Sequence, residues 1–234
     1  MIRGDNPVRV VWKTDRGRWH QERTRRAAPE GVHLTMIRGQ DPALLLDALA
    51  DADVLVSERT VAVEAWEVEN APNLGLLLRL GSLPDRLPLD TAVARGIPVC
   101  MEPVPLCAVC AEHALMLALA LLRGYPKTNC RLTTEAGLGP SRRTDEDTFA
   151  YNWTKRPSLG TLRGSDVGIL GMGGIGAEIV FRLRGFGPSS VRYTKRTPFS
   201  PSIEEMLGAR ADSPENVLSG SDVIFCLLPY GPET

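Results

Sequence analysis

The sequence predicts an α/β protein built as two lobes, and three observations carry that prediction. Short β-rich runs alternate with helical patterns through the first half, the signature of a parallel sheet flanked by helices. A polar stretch from Gly124 to Gly160 interrupts the alternation, with Gly137-Leu-Gly-Pro140 and the charged run Arg142 to Asp147 inside it, and reads as a connector. Beyond it a second alternating unit opens with a strand that runs straight into a glycine-rich turn, Gly171-Met172-Gly173-Gly174-Ile175-Gly176.

In the first lobe the predicted strands are Val8 to Trp12, Val32 to Ile37, Val54 to Ser57, Leu74 to Leu80 and Ile97 to Met101, with helical patterns at Pro42 to Ala50, Val63 to Ala71 and Asp90 to Arg95. Asp41 before Pro42 reads as a helix cap with Pro at the first helical position, and Gly96 after Arg95 as a helix stop. The connection from Trp12 to Val32 carries no clear pattern. From Ala108 to Arg123 apolar residues occupy almost every position, which predicts a helix buried on most sides or placed at an interface. The second lobe is predicted as strands at Val167 to Leu170, Val191 to Thr194 and Val223 to Leu228, with a helix over Ile175 to Leu183. The division expected is a first lobe over 1–125 that includes the helix at 108–123, a connector over 126–159 and a second lobe over 160–234.

Composition narrows the function classes. The 234 residues are 43% hydrophobic and 24% charged, enough apolar material for a sizeable core. Twenty-seven basic residues against 28 acidic ones leave a net charge of -1, so no global positive field exists to neutralise phosphates, and no nucleic-acid partner is expected. The longest uninterrupted apolar run, Ala114 to Leu122, falls well short of the roughly 20 residues that span a bilayer, and no membrane association is expected. The first 30 residues hold eight Lys/Arg and four Asp/Glu; those acids and the strand-like Val8 to Trp12 read as folded protein, not an import leader. Five cysteines, an odd set with no secretory signal, fit reduced thiols and a cytoplasmic location.

The glycine turn matches G-x-G-x-x-G, and its context gives the match weight: a strand precedes it, a helix follows, and a further strand ends about 20 residues later. Gly171 permits the tight turn, Gly173 leaves room for a pyrophosphate, and Gly176 lets helix and strand pack closely. The helix N-terminus adds unpaired N–H groups facing the anion. Where an NAD site carries an acid for the adenosine ribose, this chain has Thr194, Lys195 and Arg196. A hydroxyl and two cations suit a 2′-phosphate, so NADP is the expected cofactor, with NAD as the alternative and a solvated basic turn as the plain one.

Several ordered motifs together resemble the D-2-hydroxyacid dehydrogenases, whose members include glyoxylate and hydroxypyruvate reductases. They are Leu170 to Gly176, Ala92 through Arg95-Gly-Ile-Pro-Val99, Ala111-Glu-His-Ala-Leu115 followed by Leu121-Leu-Arg123, and Ser221-Asp-Val through Leu228-Pro229 with Glu233-Thr234. The resemblance implies a flavodoxin-like substrate lobe followed by a Rossmann lobe, a doubly wound parallel sheet that is partial here. It also implies cofactor contacts from the Leu228-Pro229 segment, a small 2-keto or 2-hydroxy acid as substrate, and a homodimer through the helix at 108–123. The Tyr193 to Arg196 stretch looks like the NADPH-using members.

Two departures from that family stand out. Its members bind the substrate carboxylate with a glycine-rich loop after the fourth strand; here Gly81-Ser82-Leu83-Pro84-Asp85 places Leu at the second glycine and Pro, without an N–H, beside it. The family's catalytic Arg, Glu and His all follow the Leu228-Pro229 segment, so none is assigned here and the chain is expected to be a fragment of such an enzyme. His20, His33 and His113 do not fill the gap, His113 being read as a core or interface histidine. Cys107, Cys110 and His113 stand at i, i+3 and i+6, but buried structural thiols are expected there, and no metal. Glu204-Glu205 and Asp145-Glu146-Asp147 read as solvated faces. The function expected is NADP-dependent reduction of glyoxylate or hydroxypyruvate; the rival is a non-catalytic dinucleotide-binding or interaction protein of the same fold.

Overall fold

The first sheet starts with β1 (Val8–Thr14), α1 (Arg18–Ala27), β2 (Val32–Arg38), α2 (Pro42–Leu49) and β3 (Val54–Glu58). It continues with α3 (Ala65–Glu69), β4 (Leu76–Leu80), α4 (Leu89–Ala94) and β5 (Val99–Glu102). These elements come from a computed structural model that describes residues 7–38, 42–134, 143–147 and 159–231. The strands are parallel in the order β2-β1-β3-β4-β5, the flavodoxin-like arrangement. Val11, Leu55 and Leu77 lie in register across the three central strands and are buried with Leu45, Leu49, Val68 and Ala92 from the helices. One row further along the same face the core turns polar, with Lys13, Ser57 and Arg79 in register and buried.

The second sheet follows α5 (Pro105–Leu122) and α6 (Tyr125–Thr134). It comprises β6 (Asp166–Leu170), α7 (Gly174–Leu183), β7 (Ser190–Thr194), α8 (Pro201–Leu207), β8 (Arg210–Ala211), α9 (Pro214–Ser219) and β9 (Val223–Cys226). Its strands are parallel in the order β8-β7-β6-β9, which is 3-2-1-4 of a Rossmann sheet. The chain divides into two units, Met1–Cys107 with Phe199–Ile203, and Ala108–Pro198 with Glu204–Thr234. The helix at 108–123, expected in the first lobe, thus belongs to the second unit. Arg182 of α7 explains part of this, because it reaches both Glu178 on its own helix at 2.5 Å and Glu112 of α5 at 3.2 Å.

Three further expectations change. α1 occupies the connection that showed no pattern. None of its residues is buried, so no apolar stripe marks it; an Arg18–Glu22 pair, a Thr24 hydroxyl bonded to the His20 carbonyl, and Arg23 stacked over Trp19 hold it locally. α6 lies inside the stretch read as connector, whose 135–142 and 148–158 portions, with Gly137 to Pro140, fall outside the described residues, as do Asp41 and Glu233-Thr234. α5 is not buried on most sides: Leu106, Val109, Met116, Leu117 and Leu121 are exposed, because composition fixes how apolar a helix is and not what covers it. By length and composition α5 is the one described helix that could cross a membrane, a test that uninterrupted runs alone did not register; Glu112 and His113 sit near its middle.

Candidate dinucleotide-binding site

The second unit builds this site from the tight packing of β6. An added Cβ at Gly168 would lie 2.6 Å from Ser221 Oγ and 2.8 Å from Val217 Cγ1, so α9 and its C-terminal turn cross this strand directly. At the end of β6 the chain turns at Gly171 with φ +91°, a left-handed conformation that favours glycine. The Gly171 and Met172 N–H groups both donate to the Thr194 carbonyl, at 3.2 and 3.1 Å. That fastens the glycine turn to the end of β7.

The next glycines do different jobs. Gly176 faces the buried Met172, whose Sδ would be 2.8 Å from an added Cβ, so α7 packs closely on the turn. Gly173 is the N-cap of α7, with no side-chain hydrogen bond capping the helix, and an added Cβ there meets nothing within 4 Å. Open space thus lies against the uncapped first turn of a ten-residue helix, the arrangement that accepts an anion. Gly174 and Ile175, half-buried, form that first turn. The segment after β9 closes the other side: Leu227 N–H donates to the Leu170 carbonyl at 2.8 Å, and Leu228 Cδ2 comes within 3.1 Å of an added Cβ on Gly171. Leu228 and Pro229 are exposed beside the turn.

At the C-terminal end of β7, Thr194 Oγ1 accepts from Gly171 N–H at 3.4 Å, Lys195 is half-buried and Arg196 exposed. The structure therefore brings the glycine turn, Thr194 to Arg196 and Leu228 together. It adds two acids. Asp212, just past β8, donates its N–H to the Tyr193 carbonyl at 3.0 Å; hydrogen bonds from Asn216 Nδ2 and Ser213 N–H hold its carboxyl below the usual range. Ser213-Pro214 was the available signal, since a Ser followed by Pro marks a helix start, and Ser213 Oγ does accept from Asn216 N–H.

Glu204 is the second, and it is not the solvated side chain expected. Desolvation would raise its pKa, but the Ala211 N–H at 2.8 Å, the fully buried Tyr193 hydroxyl at 3.0 Å and Arg210 at 3.4 Å outweigh that and hold it below its ordinary 4.5. A depressed carboxylate contributes stability that is present above its unfolded pKa and lost as pH falls through its folded one. Glu204→Gln is therefore expected to lower stability at pH 7 and to flatten the loss of stability below about pH 4.5, as read from urea midpoints across a pH series.

The other candidates separate. Gly81, Ser82 and Leu83, the weak substrate-loop candidates, are buried in the first unit. His20, His33 and His113 are all exposed, so His113 is not a core histidine. Cys107 is buried, and no metal-binding group of three or more His, Cys, Asp or Glu occurs among the described residues. Asp145 to Asp147 are exposed. A dinucleotide fits the second unit on three grounds: the left-handed Gly171, the open space at Gly173 and the uncapped start of α7. Gly171 to Gly176 would hold its pyrophosphate, and the nicotinamide of such a cofactor would supply hydride chemistry.

Comparison with known proteins agrees. Residues 115–234 match the family model for the D-isomer specific 2-hydroxyacid dehydrogenase, NAD binding domain. A D-3-phosphoglycerate dehydrogenase of Mycobacterium tuberculosis is 31% identical over 209 residues, covering 89% of this chain and 36% of that protein. A glyoxylate reductase of Thermococcus litoralis is 29% identical over 192 residues, covering 82% and 55%. The chain therefore spans about a third to a half of these relatives. A crystal structure of the PH0520 protein of Pyrococcus horikoshii is 24% identical, covering 96% of this chain and 63% of that one, with a TM-score of 0.47. With its glycine turn, Rossmann strand order and matched residues, the chain belongs to the D-isomer specific 2-hydroxyacid dehydrogenase family of NAD-binding oxidoreductases.

Proposed function

We propose that this chain serves an NADP-preferring reductase of small 2-keto acids, with glyoxylate or hydroxypyruvate as substrate. The lobe at 160–234 binds the cofactor, and the first unit, Met1–Cys107 with Phe199–Ile203, binds the acid. The observation that carries the cofactor reading is the bond from Gly171 and Met172 to Thr194, which puts Thr194, Lys195 and Arg196 beside the glycine turn, where the adenosine 2′-position of a bound dinucleotide falls. A charge-assisted hydrogen bond contributes about 1.5–3 kcal/mol, so NADPH is expected to bind at least about tenfold more tightly than NADH. Thr194→Asp with Arg196→Ala reverses the order. Calorimetry with both cofactors reads this, and a wild-type preference for NADH would make the turn an ordinary basic surface.

A second substrate reading rests on a specific observation: the 31% identical relatives are D-3-phosphoglycerate dehydrogenases, which favours a phosphorylated hydroxy acid. Parallel assays with glyoxylate, hydroxypyruvate and 3-phosphoglycerate distinguish the two. The exposed apolar face of α5 supports a homodimer, with sedimentation as its test, in preference to a membrane span. Five cysteines, none of them in a disulfide, support a reducing, cytoplasmic setting.

A further inference from the structure

We propose that Arg79 is a positioning residue that fastens the loops after β3 and β4 to each other and so sets the segment Gly81–Leu83. The proposal rests on the reading of the first unit as the acid-binding one. Arg79 lies at the last polar row of the sheet face, in register with Ser57 on β3 and Met101 on β5, and is fully buried. A buried arginine requires partners for its donors. Here Nη1 donates to Ser57 Oγ at 2.7 Å and to the Glu58 and Val61 carbonyls at 2.5 and 2.8 Å, while Nη2 donates to the Asp85 carbonyl.

Every one of those acceptors belongs to the end of β3 and its loop or to the loop after β4. Burial pulls the guanidinium below the usual arginine range, with the Asp85 charge opposing that shift and Arg86 adding to it; the four bonds come from the two Nη atoms, while the buried Nε has no hydrogen-bond partner among the described residues. Two lighter ties run between the same loops: Val63 N–H donates to the Arg86 carbonyl at 3.0 Å and Arg86 Nη1 to the Thr60 carbonyl at 3.3 Å. Arg86 is held at φ 61°, a conformation a non-glycine residue keeps where its surroundings over-determine it. The Arg79 stem runs beneath Gly81, with Cγ and Cδ 3.8 Å from an added Cβ there, and Arg59 Cβ at 3.2 Å closes the other side. Gly81 N–H is taken by the Glu102 carbonyl at 2.7 Å. With Leu83 and Pro84 in place of more permissive residues, the fork of Arg79 supplies the ties from one side chain to both loops. A lysine reaches one loop at a time, because a point charge lacks the fork.

The test uses the 234-residue chain as wild type, Arg79→Lys and Arg79→Met, read by amide hydrogen exchange and by calorimetry with NADPH and with oxamate, a carboxylate probe shaped like a 2-keto acid. Both variants are expected to speed exchange at Val63 and Gly81 by about tenfold or more while Leu55 and Leu77 stay protected, because local opening is separable from global unfolding. Oxamate affinity falls by about tenfold or more and NADPH affinity stays unchanged. Uniform loss of protection along β3 and β4, or no change at Val63 and Gly81, overturns the clamp. Wild type that binds NADPH but not oxamate overturns the loop's substrate role; wild type that binds neither fails the proposed function, while exchange still judges the clamp. Should Arg79→Met not fold, the Arg79 Nη protons of the wild type decide by NMR: slowly exchanging, separate signals support the fork, and averaged ones contradict it.

Discussion

Gly173→Val is expected to abolish dinucleotide binding and leave the fold intact. The wild-type backbone at Gly173 has φ −124° and ψ −157°, extended geometry that valine adopts readily, and an added Cβ meets nothing within 4 Å. The protein itself does not resist the side chain; only an anion at the start of α7 does. Losing two charge-assisted bonds of about 1.5–3 kcal/mol each lowers affinity by about 100-fold or more. Neighbouring glycines are poorer probes. Gly176→Val drives a methyl-bearing carbon into Met172 Sδ, and Gly171→Val adds strain at φ +91°, so both mix stability with binding. Calorimetry paired with thermal unfolding separates the effects, and Gly173→Val with wild-type affinity would contradict the assignment.

The second large effect is on turnover: a polypeptide of these 234 residues is expected to bind cofactor yet show little or no oxidation of NADPH by glyoxylate or hydroxypyruvate. The described strands β8-β7-β6-β9 make up the adenosine-binding side of a Rossmann sheet, which grips the adenosine and pyrophosphate. Hydride transfer further needs the nicotinamide held against the acid and a proton donor in place. Orientation alone is worth about 7–11 kcal/mol, and a positioned acid about 10²–10⁴ in rate. All three histidines are exposed, so none is held in a closed site that would position a proton donor. Robust turnover would contradict this and direct attention to His113 or to a residue from a second copy; binding without turnover in every longer form would favour the non-catalytic reading.

The parts of the fold legible in the sequence were those where a residue type has one physical use. Gly171, Gly173 and Gly176 announced turn, open space and close contact, and the apolar runs around Leu55, Leu77 and Ile169 announced buried parallel strands. What escaped reading depends on partners far along the chain. Arg79 sits in the run Leu76 to Leu80 as a single charge among leucines, and only the folded loops reveal its acceptors. Glu204 looks solvated until Tyr193 and the Ala211 amide arrive from β7 and β8. α1 carries no apolar stripe, and the short α8, β8 and α9 lie below the length at which periodicity can be read. α5 shows the converse case, because an apolar composition does not say what covers a helix: within this chain Leu117 and Leu121 are exposed.

Two adjacent turns of the second unit are proposed to hold two different phosphates of one cofactor. Phosphorus NMR of NADPH titrated with the wild-type chain and with Thr194→Asp/Arg196→Ala tests it at the atoms concerned. The pyrophosphate and 2′-phosphate signals are both expected to shift with wild type, and only the pyrophosphate signals with the double variant. A 2′-phosphate signal that stays at its free position while wild type binds, or a pyrophosphate signal that never moves, would contradict it.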